Sequence, residues 1–508
     1  MSEMRGLMKD TVIYGATNII SKFLNWLLAP FYIRILASSA EYGIVTNLYA
    51  WVSVVLVVLT LGLETGLFRF INGGLHTNSS KETDTTKESQ RVYATCLKLL
   101  LVVVTLFLLI SLPNSVGIAT LLGYPEHPEF ISLFLLIVAM DALLSIPFAY
   151  LRYQRRPWRF TFYKFLFIIL NIGLNLFFLI LCPFLQRRGV VLPSWLYQPD
   201  YGVGYIFVSN FIATGIELLC MLPVMRPAFK GFERQLVVPL LRYCLPLVLL
   251  GLAGILNKMA GQIMLPMLYA DRVEGMTALG IYGGNLKIAV VMVMFIQAFR
   301  FAYDPFVFSK MKAKDAGEAY RVAMNYFVLF ATLIFLGVLY FIDLFKYIVA
   351  PDYYVGLIVV PIVMASEILF GIYYNLSVWY KISDHTGYGA LFSIIGLVVT
   401  VSVILLGVPR FGFVACAWSA FACNGVMLVL SYLIGKFIHP IRYDVGRILG
   451  MLSLMALFYF LGMQVAPSSI ALRLALRSLL LCVYIGILLA FFAPELRSFV
   501  IRHLSKKA

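Results

Sequence analysis

The chemistry most legible in this 508-residue chain lies in ionisable side chains set inside long apolar segments. Lys22 (NIISKFLNWLLAPFY), Lys258 (ILNKMAGQ) and Lys287 (GGNLKIAVV) are such residues, and so are Glu64, Asp141, Glu217 and Glu367. A charge at the bilayer centre costs about 2.5 to 3.5 kcal/mol on insertion scales, so each marks a functional position unless it can reach the interface. Lys22 lies about eleven residues into its segment, about 16 Å at 1.5 Å per residue, too deep to snorkel easily. Lys22, Asn25, Ala29 and Tyr32 keep the three-four spacing of one helix face,. Gly251, Gly254, Lys258, Gly261 and Gln262, with Asn257 beside them, form a second polar, small-residue stripe. Gly280, Gly284 and Lys287 form a third; glycines at such positions also let helices approach closely,. No acid lies three or four residues from any of the three lysines, so they predict a water-filled cationic cavity rather than buried ion pairs,. Such a cavity suits an anionic substrate, because lysine or arginine meeting phosphate makes a charge-assisted hydrogen bond. Asp141 and Glu367 lie well inside equivalent segments, and each either partners a cavity lysine or carries a proton.

The elements that hold these residues are membrane-spanning helices. The chain is 62% hydrophobic and 13% charged, about half the charge of a soluble domain,. About 20 apolar residues cross a bilayer core. Fourteen such spans are read, at about 11–36, 44–68, 92–112, 129–151, 160–182, 201–222, 236–269, 278–303, 322–342, 355–380, 388–408, 411–435, 445–463 and 469–492, and are called span 1 to span 14 in that order. With the amino terminus inside, 28 of the 40 Lys and Arg fall on or near the inner face, 8 on the outer, and 4 (Lys22, Lys258, Lys287, Arg300) within spans. That skew satisfies the positive-inside rule with both termini cytoplasmic. The net charge of +16 is therefore a topology signal and argues against nucleic-acid binding,. No cleaved signal peptide is expected, since the first residues carry Glu3, Arg5, Lys9 and Asp10,.

Seven scattered cysteines, without a CxxC pair or histidine cluster, read as small packing residues, and no metal or cofactor is expected,. The inner connector INGGLHTNSSKETDTTKESQR is polar and reads as a mobile loop,. Outer loops are short and the five histidines lie in loops or at span ends, which argues against an enzyme such as a polymerase, ligase or acyltransferase,.

Two stretches of the chain repeat. FLNWLLAPFYIRIL in span 1 is similar to ILNKMAGQIMLPML in span 7, EYGIVTNL to ALGIYGGNLK, and FRF at Phe68 recurs at Phe299, with offsets of about 231 to 237 residues. Six spans separate the copies, so the halves have one orientation and a pseudo-two-fold axis along the membrane normal. The expected fold is an all-α polytopic membrane protein with two six-helix bundles plus two extra C-terminal helices. Residues 1–230 and 231–440 form the bundles, and 441–508 the extra helices with a basic tail. Within LGLETGLFRF, Arg69 reads as an inner-face anchor,. Glu64 projects about 140° away from it, so its partner is sought on another helix, with Lys98 first and Lys22 second. In the second copy Asp304 lies four residues beyond Arg300 and is expected to pair with it,. Tyr373, Tyr374, Trp379 and Tyr380 read as an interfacial belt, with sugar stacking as the alternative,.

The opening KDTVIYGATNIISKFLNWLLAPFYIRILASSAEYGIVTNLYAWVSVVLVVLTLGLETGLFRF resembles the amino-terminal signature of Wzx-type polysaccharide biosynthesis flippases. Its features are a proline-bearing first helix, an acid before Tyr42-Gly43, and a second helix ending in Arg-Phe. The resemblance implies the multidrug/oligosaccharidyl-lipid/polysaccharide exporter superfamily, two six-helix bundles, alternating access, and export of an undecaprenyl-diphosphate-linked oligosaccharide across the bacterial inner membrane. It carries over a cationic cavity to Lys22, Arg34, Lys258, Lys287 and Arg300. The cavity's polar, acidic or proton-coupling residues are then Asn25, Glu64, Asp141, Asn257, Gln262 and Glu367. It further implies a monomer working beside a glycan polymerase and glycosyltransferases, with proton or sodium coupling. A lipid II flippase and a cation-coupled multidrug exporter are the alternatives within the superfamily.

Overall fold

The computed structural model describes residues 2–72, 82–229, 231–310, 316–383, 385 and 387–492. Among them the regular structure is helical throughout, with no strand. Among the described residues thirteen helices are long and apolar enough to cross a membrane, from Ser39–Ile71 (span 2) to Ile470–Phe492 (span 14). The helix Ser2–Ile35 precedes them and contains span 1, giving the fourteen that hydropathy reads. The all-α polytopic fold is thus the one expected. The first part of the expected loop between spans 2 and 3, residues 73–81, and the basic tail, 493–508, lie outside the described residues. From Glu82 onward that connector is helical and continuous with span 3. A polar sequence does not exclude a helix, and a helix satisfies the backbone here as it does in span 3.

The chain divides into two compact units, Met1–Gly280 and Ile281–Ala508, with the boundary inside the helix Arg272–Lys310 (span 8). In the first unit span 6 (Gly204–Met225) packs on spans 4 (Pro128–Tyr153) and 5 (Pro157–Arg187), and span 7 (Arg234–Met267) packs on span 2. Leu63, Leu67, Tyr93, Leu100, Ile146 and Leu240 are buried at the centre of one core cluster. Tyr93 stacks on Tyr150 at 4.0 Å and donates its hydroxyl to Val224 O at 3.1 Å, so its one polar atom is satisfied within the apolar interior,.

Span 2 is broken. Leu61 and Gly62 have φ of 50° and 64°, in the left-handed region, and divide Ser39–Thr60 from Leu63–Asn72. A Cβ on Gly66, one turn into the second piece, would lie 2.6 Å from Cys244 Sγ, so a glycine is what lets this piece lie against span 7,. Span 8, its repeat counterpart, runs unbroken from Arg272 to Lys310. The repeat therefore does not extend to backbone continuity.

It does extend to the other end of these helices. A Cβ on Gly43 would clash with the Met276 carbonyl, and one on Gly280 with the Ser39 carbonyl. Gly43 and Gly280 are 237 residues apart, and so are Ser39 and Met276. The contact is reciprocal, as in an isologous interface, and only glycine at both positions permits it.

In the second unit span 12 (Val414–Ile438) packs on spans 10 (Pro351–Ile382) and 11 (Gly387–Phe411). The two additional helices, spans 13 (Val445–Gln464) and 14, pack on span 9 (Ala316–Tyr340). The Tyr340 hydroxyl donates to Phe458 O, and Gly462 accommodates the Tyr340 ring. Asp343, just beyond span 9, receives Lys346 at 3.4 Å, Arg473 at 3.2 Å and Arg477 at 3.3 Å. Arg477 is buried and also donates to Gly462 O at 3.1 Å and Tyr340 O at 3.4 Å. A buried guanidinium with that many acceptors fixes span 14 in register.

Candidate functional site

In the first unit Lys22 and Asn25 are exposed on span 1, whereas Ala29 and Tyr32, two turns further along the same expected stripe, are buried. The stripe thus splits into an open charged half and a packed half. Arg34 is exposed in the last turn of its helix, at the end rather than in the middle of the span. On span 7, Gly251 and Lys258 are exposed, and Gly254, Asn257, Gly261 and Gln262 are half-buried. A lysine exposed so deep in an apolar helix must meet water or a counter-charge.

The carbonyl of Gln262 accepts from Asn47 Nδ2 at 2.8 Å, and Asn47 Oδ1 accepts from the Tyr124 hydroxyl at 2.8 Å. Arg272 stacks over Tyr124 and donates to Leu122 O. Tyr124 lies outside the spans, and burial pushes its hydroxyl above the ordinary tyrosine range, keeping it a donor,. Buried Asn47, which hydropathy passes over, is therefore what ties the Gln262 turn to span 2.

Glu64 is half-exposed and pairs with Arg152. Neither expected partner is the residue found: Lys98 stands over the Phe232 ring at 5.8 Å. Arg152 lies in the last turn of span 4 and is itself stacked over Phe68, one turn beyond Glu64. Depth along the chain cannot reveal such a lateral neighbour, and a loop-end arginine reads only as a topology signal.

Asp141 joins a cluster that sequence reading did not assemble. Lys164 of span 5 lies 3.7 Å from Glu217 Oε1 on span 6 and 3.9 Å from the centre of the Phe148 ring. Asp141 and Glu217 act electrostatically on each other and on Lys164. Asn210, seven residues before Glu217, donates to the Tyr49 hydroxyl, and Thr214 donates to Asn210 Oδ1 at 3.0 Å. Glu217 is 2% exposed. Two acids share one base in an apolar surround, so the fully ionised set carries an excess negative charge that a single proton removes. The spacing Asn210, Thr214, Glu217 was a visible polar stripe on span 6, but nothing in the chain places Lys164 beside it.

In the second unit Lys287 and Glu367 are half-buried, and the charge of Glu367 acts on the buried Tyr282. Arg300 and Asp304 meet through a third residue. Tyr374 donates its hydroxyl to Asp304 Oδ2 at 2.6 Å, while Arg300 and Lys381 approach its ring centre to 4.2 and 4.1 Å. The expected direct pair is thus replaced by a tyrosine between two cations. Tyr373, Trp379 and Tyr380 are buried in a common cluster with Phe392, so they form neither a lipid-facing belt nor an open stacking platform.

No family model and no curated protein sequence matches the chain. Solved structures with the same fold do. The lipid II flippase MurJ in an inward closed conformation aligns with a TM-score of 0.70 at 11% identity, over 96% of this chain and 99% of that one. An inward-facing multidrug resistance MATE family transporter of the MOP superfamily aligns at 0.60 and 13% identity, over 87% of this chain and 99% of the other. A point mutant of the Vibrio cholerae MATE transporter VcmN aligns at 0.56 and 14%, over 85% and 96%.

Proposed function

We propose that this chain is a flippase that moves an undecaprenyl-diphosphate-linked oligosaccharide from the inner to the outer leaflet of the bacterial inner membrane by alternating access, supplying surface polysaccharide assembly. The observation that carries this reading is the exposure of Lys22 and Lys258 deep within apolar helices of a transporter-like fold. A cationic lining suits a diphosphate better than a cationic drug. A diphosphate with about two negative charges leaving a cell that is negative inside gains about 2.3 kcal/mol per charge per 100 mV. Arg34, Lys287 and Arg300 extend the proposed cationic path. Asn25, Asn257, Gln262, Glu64 and Glu367 are its polar and acidic members. Asp141, with Lys164 and Glu217, is proposed as the proton-coupling group. Both termini are placed in the cytoplasm, and the protein acts as a monomer beside a glycan polymerase and glycosyltransferases.

A lipid II flippase is the second reading, favoured by the MurJ alignment, which spans 96% of the chain and so reaches into the two additional helices. Lipid analysis of a deletion strain decides between them. Completed lipid-linked glycan units trapped in the inner leaflet support the first reading, trapped peptidoglycan precursor the second, and single units on the outside point to a polymerase instead. Replacing Lys22, Lys258 and Lys287 together by Gln is expected to abolish surface glycan assembly at normal expression. Unimpaired assembly would show that the cationic mechanism is wrong.

A further inference from the structure

At the basic-rich end of the second unit, spans 10 and 12 and the turn before span 13 enclose a cavity of about 370 Å³ that has no place in the transport path above. Its floor is the Trp379 indole, 2% exposed, which donates to Ser431 Oγ at 3.2 Å. A Cβ on Gly435 would lie 2.7 Å from that ring, so glycine at 435 lets the indole lie flat against span 12. Around this floor stand Tyr432, Lys436, His439, Arg442 and Tyr443. The side chains of Lys436, His439 and Arg442 are exposed and make no hydrogen bond or ion pair among the described residues. Asp444, the acid next to them in sequence, is already engaged by Arg321 at 3.3 Å and Asn325 Nδ2 at 2.9 Å. Pro440 stiffens the connection, so His439 and Arg442 are held near the rim rather than on a free loop,.

Unneutralised cations over an aromatic floor at a helix-bundle end have one natural complement in a membrane. The carbonyl end of span 12 adds partial negative charge, so recognition must come from the side chains rather than from the helix terminus. Lys436 and Arg442 each present donors suited to phosphate oxygens, Tyr432 adds a hydroxyl, and the apolar floor accepts a glyceryl segment. Basic pockets between helices on the cytoplasmic side of membranes take anionic lipid head groups. We infer that this cavity is a binding site for the phosphate head group of an anionic inner-leaflet lipid, held by Lys436 and Arg442 over Trp379.

Native mass spectrometry of the full-length protein in detergent, equilibrated with phosphatidylglycerol or phosphatidylcholine, tests this. Wild type is expected to retain phosphatidylglycerol several-fold better, and Lys436→Gln/Arg442→Gln to retain the two lipids equally. Both substituted residues are exposed, and an unchanged melting temperature in phosphatidylcholine verifies that the variant is folded. Arg155→Gln/Arg156→Gln, which removes equal charge elsewhere, should keep the preference. Equal retention by wild type, an undiminished preference in K436Q/R442Q, or equal loss in the Arg155/Arg156 control overturns the site. Inorganic phosphate alone forms the second arm. Failure of phosphate to raise the melting temperature supports the lipid source. A rise matching that of phosphatidylglycerol, and lost in K436Q/R442Q, overturns it in favour of a soluble phosphate.

Discussion

Asp343 and Glu64 are both acids paired with arginine, yet the two pairs differ in energetic weight. The Asp343 side chain is 10% exposed and faces three cations, whereas Glu64 is 45% exposed and faces one. Removing one member of a buried ion set leaves uncompensated charge and costs about 3 to 5 kcal/mol. Asp343→Asn is therefore expected to lower unfolding free energy by about that amount in detergent denaturation, with spans 13 and 14 losing protease protection first. An exposed pair contributes about 0.2 to 1 kcal/mol. A double-mutant cycle on Glu64→Gln and Arg152→Gln should return a coupling in that range, and a coupling several times larger would place the pair in a dry environment. At this scale the sequence was informative about depth and silent about neighbours. Periodicity told which residues lay within spans; it could not tell that Arg152 would turn back onto Glu64 or that Lys164 would reach Glu217. Tyr374 shows the same limit, since spacing paired Arg300 with Asp304 and could not foresee a ring from span 10 between them.

Between elements, close approach is set by the smallest residues. The Gly43 and Gly280 contact puts backbone against backbone, and any side chain at either position must separate the helices. Gly280→Leu and Gly43→Leu are each expected to reduce folded yield by overpacking, which typically costs about 1 to 3 kcal/mol and more against backbone. The repeat was legible because EYGIVTNL and ALGIYGGNLK carry these glycines in register. The break at Leu61 and Gly62 was not, because LTLGLET reads as an ordinary apolar helix with one glycine, and the Cys244 backbone that the left-handed turn lies against comes from a distant part of the chain.

On the scale of the whole molecule, spans 13 and 14 are integral to the second unit rather than appended to it. Span 9 contributes the Tyr340 ring and the turn beyond it Asp343, and both are covered by the additional helices. A chain ending at residue 440 is therefore expected to insert but to melt well below the full-length protein, since Asp343 keeps only Lys346 and the Tyr340 hydroxyl loses its acceptor,. Span count and class were readable from hydropathy, because hydrocarbon demands long apolar helices whatever their arrangement. Which helix covers which required the side chains. Span 2 is clamped near Gly43 and interrupted at Leu61, so the amides of Leu63 and Glu64 lack the intrahelical acceptors that an unbroken span would supply, while Thr65 and Gly66 donate to Gly62 O at 3.1 and 3.2 Å,. Deuterium should enter around residues 62 to 64 far sooner than around 45 to 57, although both stretches lie at membrane depth. The half carrying Glu64 would then open as a separate segment while the other half stays closed.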